Sequence, residues 1–204
     1  RGISMFILPL NSDGITVRPI YTMSGTRTNE VFFENVRVPG DALVGEENRG
    51  WYATANALDH ERVSLAPLGG LVRGWNRMIG YVKEHRPELL QDRQVRLRLA
   101  EAKMDLEIQR ALKMKNASII ANKQTPTMEA SMVKVFSSER GFRFSSLIMD
   151  LLGRAGALRR GSDEAPLRGQ FSGGYLGSPI LRFGGGTNEV QRNIIAQRGL
   201  GLPR

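Results

Sequence analysis

Near its C-terminus the chain reads FGGGTNEVQRNIIAQRGLG, residues 183–201. Three consecutive glycines lead into Thr187 and a helix-like run. Glycine lets a ligand or another backbone approach closely. Thr187 is placed to cap a helix, whose first amides attract anions. The same residues also suit an ordinary tight turn. Neither Gly185 nor Gly186 carries a reactive group, so any base or nucleophile must come from elsewhere. Thiolate chemistry and disulfides are excluded, because the chain has no cysteine, which fits a cytoplasmic protein. The formal charge is +9, with 23 arginines against six lysines. Arginine pairs with phosphate bidentately, so a nucleotide cofactor would suit this balance. A nucleic-acid partner is not expected, since the basic residues are scattered among acids, as in EHRPELLQDRQVRLRLAEAK, and no aromatic–basic stripe occurs.

The elements that must position such a turn can be read from periodicity. At 204 residues and 41% hydrophobic content the chain can bury a core. No apolar run approaches the roughly 20 residues that span a bilayer. Residues 1–45 read as two to four antiparallel strands, in ISMFILPL and EVFFENVRVP, with turn chemistry between them. They are too few for an independent domain, and a chain opening inside a strand-like run reads as a piece of a longer protein. From about Arg49 to His85 the period is helical, with Leu58, Arg62, Leu65 and Gly69 on one stripe and Pro67 set to break it. A second helix is expected from Asp92 to Ala121, with Val95, Leu99, Ala102 and Leu106 inward. A third starts with Thr125 as cap and Pro126 in its first turn, carries Val133, Phe136 and Phe142, and runs to about Leu152. A long irregular segment follows. The last helix is capped by Thr187, turns Val190, Ile194 and Ile195 inward, and ends at Gly199 or Gly201 before Pro203. The fold expected is mainly α: an antiparallel helical bundle, residues 46–204, preceded by a few strands of a truncated β-domain, residues 1–45.

The stretches VFFENVRVPGDALVGEENRGW, LDHERVSLA and GGGTNEVQRNIIAQRGLGLP, in this order, resemble the acyl-CoA dehydrogenase family over the whole chain. The resemblance implies the end of a middle β-domain followed by the C-terminal helical bundle. It implies an FAD-dependent enzyme that desaturates an acyl-CoA thioester between Cα and Cβ, with electron-transferring flavoprotein as acceptor. It also implies assembly as a dimer or tetramer, homo- or hetero-oligomeric. Thr187 and Glu189, with Gly185 and Gly186, stand where the family contacts FAD, and Glu189 is expected near the ribose or ring edge rather than a phosphate. Arg86 corresponds to an arginine that holds the FAD phosphates of a neighbouring subunit, although the phenylalanine and glycine that accompany it are missing. The family's Gln–x–x–Gly–Gly–x–Gly turn reads DLLGRAG here. Gly153 and Gly156 remain, while Asp150 and Arg154 replace a glutamine and a glycine.

Many relatives carry the catalytic glutamate two residues before the motif threonine, which is Gly185 here. A variant seen in isovaleryl-CoA dehydrogenase places it on the first long helix, in a pattern like LDxER. The resemblance therefore implies Glu61 as the α-proton acceptor, with Asp59 and Arg62 near the substrate. Burial beside an apolar acyl chain would strengthen such a base. Gly184 and Gly185 remove bulk near the carboxylate's usual position, which suits branched or large acyl groups. The other reading is a non-catalytic subunit of a mixed oligomer, serving binding and assembly. No metal is implied.

Overall fold

The computed structural model describes residues 2–64 and 68–203; the side chains of residues 59, 60 and 62–64 lie outside that description. The chain divides into two compact units, Arg1–His60 and Glu61–Arg204.

In the first unit, β1 (Ile15–Tyr21) and β2 (Arg27–Phe33) form an antiparallel hairpin, with Ile15 opposite Phe33 and Tyr21 opposite Arg27. The turn between them is closed by the Thr22 amide on the Thr26 carbonyl at 3.0 Å and by the Thr22 hydroxyl on the same oxygen at 2.8 Å. Every residue of β2 is exposed, so its weak alternation does not mark a buried face. The expected strand in ISMFILPL does not form. Ile3 and Phe6 instead make isolated bridges with Arg49 and Leu43. The segment opposite enters a 3₁₀ turn at Gly40–Ala42 and then a helix at Gly50, so no extended partner remains for a ladder to continue along.

Helix α1 (Gly50–Ser64) and helix α2 (Leu68–His85) replace the single interrupted helix expected. Leu65 and Pro67, the predicted stripe residue and breaker, lie outside the described residues. Helix α2 turns Met78 and Val82 fully inward, each side chain contributing about 1.5–3 kcal/mol by its burial. Trp75, one turn earlier, lies 6.1 Å from the Phe144 ring. Helix α3 (Arg93–Ala121) begins as predicted, with the Asp92 carboxylate accepting from the amides of Gln94 at 2.7 Å and Val95 at 3.2 Å. Such a cap is worth about 1 kcal/mol. Leu99 and Leu106 are buried, and Val95 and Ala102 half-buried, as the spacing requires.

Helix α4 (Thr127–Leu152) supplies Val133, Leu147, Ile148, Leu151 and Leu152 to the interior. Its cap differs from expectation. Pro126, not Thr125, is the N-cap, and its carbonyl accepts the first helical bond from the Ala130 amide at 2.9 Å. The segment expected to be irregular contains two 3₁₀ turns, at Gly153–Ala157 and Ser178–Arg182, a left-handed turn at Pro166–Gly169 in which Leu167 and Arg168 take φ of +52° and +58°, and helix α5 (Gln170–Gly177). The paired glycines of QFSGGYLG disfavour a helix locally. Tertiary packing overrides that preference: Phe171 is buried in the core and Tyr175 stacks on Phe142 of α4 at 6.1 Å. Helix α6 (Asn188–Ile194) passes into a π turn at Ile195–Gly199, and Gly201 takes a φ of +67°.

Candidate functional site

The turn before α6 has the geometry its glycines permit. Gly185 and Gly186 have φ of +68° and +92°, which a side chain at Cβ would strain. The Thr187 hydroxyl accepts from the Val190 amide at 3.3 Å, so the predicted cap is present. Gln191 is fully buried and donates its Nε2 to the Gly185 carbonyl at 3.0 Å. A Cβ on Gly186 would stand 2.6 Å from that nitrogen. The turn is therefore glycine for two reasons, backbone conformation and space.

A buried polar network holds the start of α6. Asn188 is 3% exposed. Its Oδ1 accepts from Lys134 Nζ at 2.7 Å and from Ser138 Oγ at 3.0 Å, and its Nδ2 donates to Glu139 Oε1 at 3.3 Å. Lys134 Nζ also donates to the Arg182 carbonyl at 2.9 Å. Arg192 closes the network on Glu139 at 2.5 Å. Burial works to raise the Glu139 carboxyl's pKa; the hydrogen bond and charge of Arg192, with Asn188 and Arg182, outweigh it and hold the carboxyl below its ordinary value. Sequence reasoning missed this network. Val190, expected inward, is 48% exposed, while the buried residues of α6 are Asn188 and Gln191. The available signal was Lys134 itself, a charge on the same helical stripe as Ala130 and Val133, both buried.

The expected site residues fall into separate places. Glu189 is exposed beside the turn, its carboxyl held below the ordinary value by its own backbone N–H and then by the Thr187 hydroxyl. Gly153, with φ of +58°, is the C-cap of α4, Arg154 is exposed, and Gly156 is buried. Lys134 and Gly153 are both carried by α4, nineteen residues apart, which is about 28 Å along a helix at 1.5 Å per residue. The turn ahead of α6 and the turn after α4 therefore cannot grip one phosphate. Arg86 lies just beyond α2, and its Nε donates to Glu88 Oε1 at 2.6 Å, a bond that holds the Glu88 carboxyl below its ordinary value. Asp150, which replaces the family's glutamine, pairs with Arg98 Nη2 of α3 at 2.6 Å. Glu61 lies in the last turn of α1 with its side chain exposed. Asp59 and Arg62 belong to the same helix, with side chains outside the described residues. Among the described residues no cluster of three or more His, Asp or Glu side chains could hold a metal ion, and no helix is long and apolar enough to cross a membrane.

This helical bundle, with a glycine turn feeding its final helix, is that of a known domain. The family model described as "Acyl-CoA dehydrogenase, C-terminal domain" matches residues 48–200. The chain belongs to the acyl-CoA dehydrogenase family. It is 39% identical to acyl-CoA dehydrogenase FadE26 of Mycobacterium tuberculosis (strain ATCC 25618 / H37Rv), an alignment covering 100% of this chain and 53% of that protein. Among solved structures it is similar to the Tcur3481-Tcur3483 steroid ACAD, with a TM-score of 0.92 and 34% identity over 100% of this chain and 53% of the other. It is also similar to a chain of the ChsE4-ChsE5 complex from Mycobacterium tuberculosis, with a TM-score of 0.89 and 36% identity over 100% and 54%. The chain thus spans about half the length of the curated relatives it matches.

Proposed function

We propose that this chain is the C-terminal part of an FAD-dependent acyl-CoA dehydrogenase that desaturates an acyl-CoA thioester, with Glu61 as the α-proton acceptor. The observation that carries this reading is the turn at residues 184–187. Position 185 is a glycine with left-handed φ whose carbonyl is tied to Gln191. No carboxylate arises there, so the base must come from another element. Glu61 offers one, with its side chain exposed in the last turn of α1.

The residues present fit the cofactor at this turn. Amides of glycines with no Cβ, at the start of a helix, suit a polar, electron-rich ligand. Gly185, Gly186, Thr187 and Glu189 would hold FAD here, and Gly153, Arg154, Gly156 and Arg86 would serve a neighbouring subunit's FAD, in keeping with the separation along α4. FAD, when bound, accepts the β-hydrogen as hydride. Glu61 takes the α-proton on its carboxylate, and Asp59 and Arg62 orient the thioester end of the substrate. A bulky acyl group is favoured, since Gly184 and Gly185 leave room and a similar structure is named a steroid enzyme. Electron-transferring flavoprotein is the proposed acceptor.

In the holoenzyme containing this chain, Glu61→Gln should lower kcat by about 10²–10⁴-fold while the yellow flavin spectrum is retained. Unchanged turnover removes Glu61 from the chemistry and favours a second reading: a binding and assembly subunit of a mixed oligomer. Two observations support that alternative. Similar structures carry paired names, one of them a complex. Arg86 and Asp150 are also already paired within this chain. A folded protein that is colourless alone and takes up flavin only with a second, different chain would favour it.

A further inference from the structure

The geometry points to Lys134 as a positioning residue that fixes the flavin-facing turn; this inference rests on the proposed FAD site. Lys134 is 3% exposed. A buried ammonium is costly unless hydrogen-bonded on several sides, so its partners show where it acts. Two of them bracket the turn. The Arg182 carbonyl at 2.9 Å precedes the glycines, and Asn188 Oδ1 at 2.7 Å follows Thr187. One cation thus ties both ends of the glycine segment to α4.

Helix α6 needs such a tie. It has seven residues, too few to be stable by its own propensity. Its buried residues are both polar, and Val190 is exposed, so apolar packing does little to fix its start. Ser138 and Glu139 hold the remaining edges of the Asn188 amide. The placement of the glycine turn and of the first α6 amides depends on this lysine through Asn188.

The test is Lys134→Met in the holoenzyme and its apo form; methionine keeps much of the volume and removes the ammonium. Hydrogen exchange of the Gly184, Val190 and Gln191 amides, which are hydrogen-bonded at either end of the glycine turn, should accelerate at least tenfold in the apo protein, with Met78 and Val82 amides unchanged. The Kd for FAD should rise at least tenfold, with the apo thermal midpoint nearly preserved. A lower midpoint with unchanged turn exchange and unchanged Kd would mean a merely structural lysine and overturn the proposal. If the wild-type full-length protein binds no FAD, the cofactor reading fails, and the exchange result alone decides whether Lys134 fixes the turn. Should Lys134→Met not fold, Ser138→Ala, which removes a neutral donor from the same Asn188 oxygen, must accelerate exchange of the same amides about threefold; no acceleration overturns the proposal.

Discussion

Helix α4 serves two glycine turns that are built in opposite ways. The 184–187 turn is tied by side chains of two helices: Lys134, Ser138 and the half-buried Glu139 of α4 grip Asn188, and Gln191 of α6 grips Gly185. The Gly153–Ala157 turn at the far end is held by backbone caps, with Gly153 open to solvent and Arg154 exposed. The difference teaches that one turn is held by side chains from within this chain, while the other rests on its backbone caps alone. Pre-organisation lowers the cost of binding, so the first turn should be the more sensitive to small changes.

The sharpest way to break this comparison is Gly186→Ala. A methyl at φ of +92° costs about 1–2 kcal/mol in backbone strain. It also meets Gln191 Nε2 at 2.6 Å, and losing that buried bond costs about 1–3 kcal/mol more. The thermal midpoint should fall by several degrees, and FAD affinity in the holoenzyme should drop about a hundredfold if most of that energy reaches the turn. Gly153→Ala is the counterpart. Its φ of +58° is equally unsuited to a side chain, yet a Cβ there meets nothing within 4 Å. Only backbone strain of about 1–2 kcal/mol is expected, with a smaller loss of flavin. Equal losses for the two variants would contradict the difference between the turns.

The smallest effect concerns acid. The Glu139 carboxyl lies below its ordinary value of 4.5 in the folded chain. Its stabilisation is therefore fully present above that pH and is lost as pH falls through the lower, folded value. The side chain is 33% exposed, so the gain is at most about 1 kcal/mol. Thermal melts of Glu139→Gln against the wild type should differ slightly at pH 7 and converge as pH falls through the carboxyl's lowered, folded value.

Much of the bundle was legible because its signals are local. The start of α3 near Asp92, and Leu99 and Leu106 on one stripe, need no knowledge of the rest of the chain. Residues 3–10 misled because a strand requires a partner of suitable length, and that partner turns into α1. Helix α5 was hidden by Gly173 and Gly174, since packing on α4 rather than propensity forms it. At the site, the glycines and the Thr187 cap could be read directly, whereas the part proposed for Glu61 came through resemblance. The Lys134–Asn188 pair was not legible. Lys134 stands out only by its place on the Ala130–Val133 stripe, and nothing local marks Asn188 as its partner until the segment at Arg182 is folded against both.

The central claim is that a carboxylate on α1 replaces the one absent from position 185. It is tested most directly by solvent-deuterium exchange at Cα of a bound acyl-CoA analogue that lacks a β-hydrogen. In the holoenzyme, exchange should be readily measured and should fall by about 10²–10⁴-fold in Glu61→Gln with flavin still bound. Exchange continuing at the wild-type rate in that variant would contradict the account.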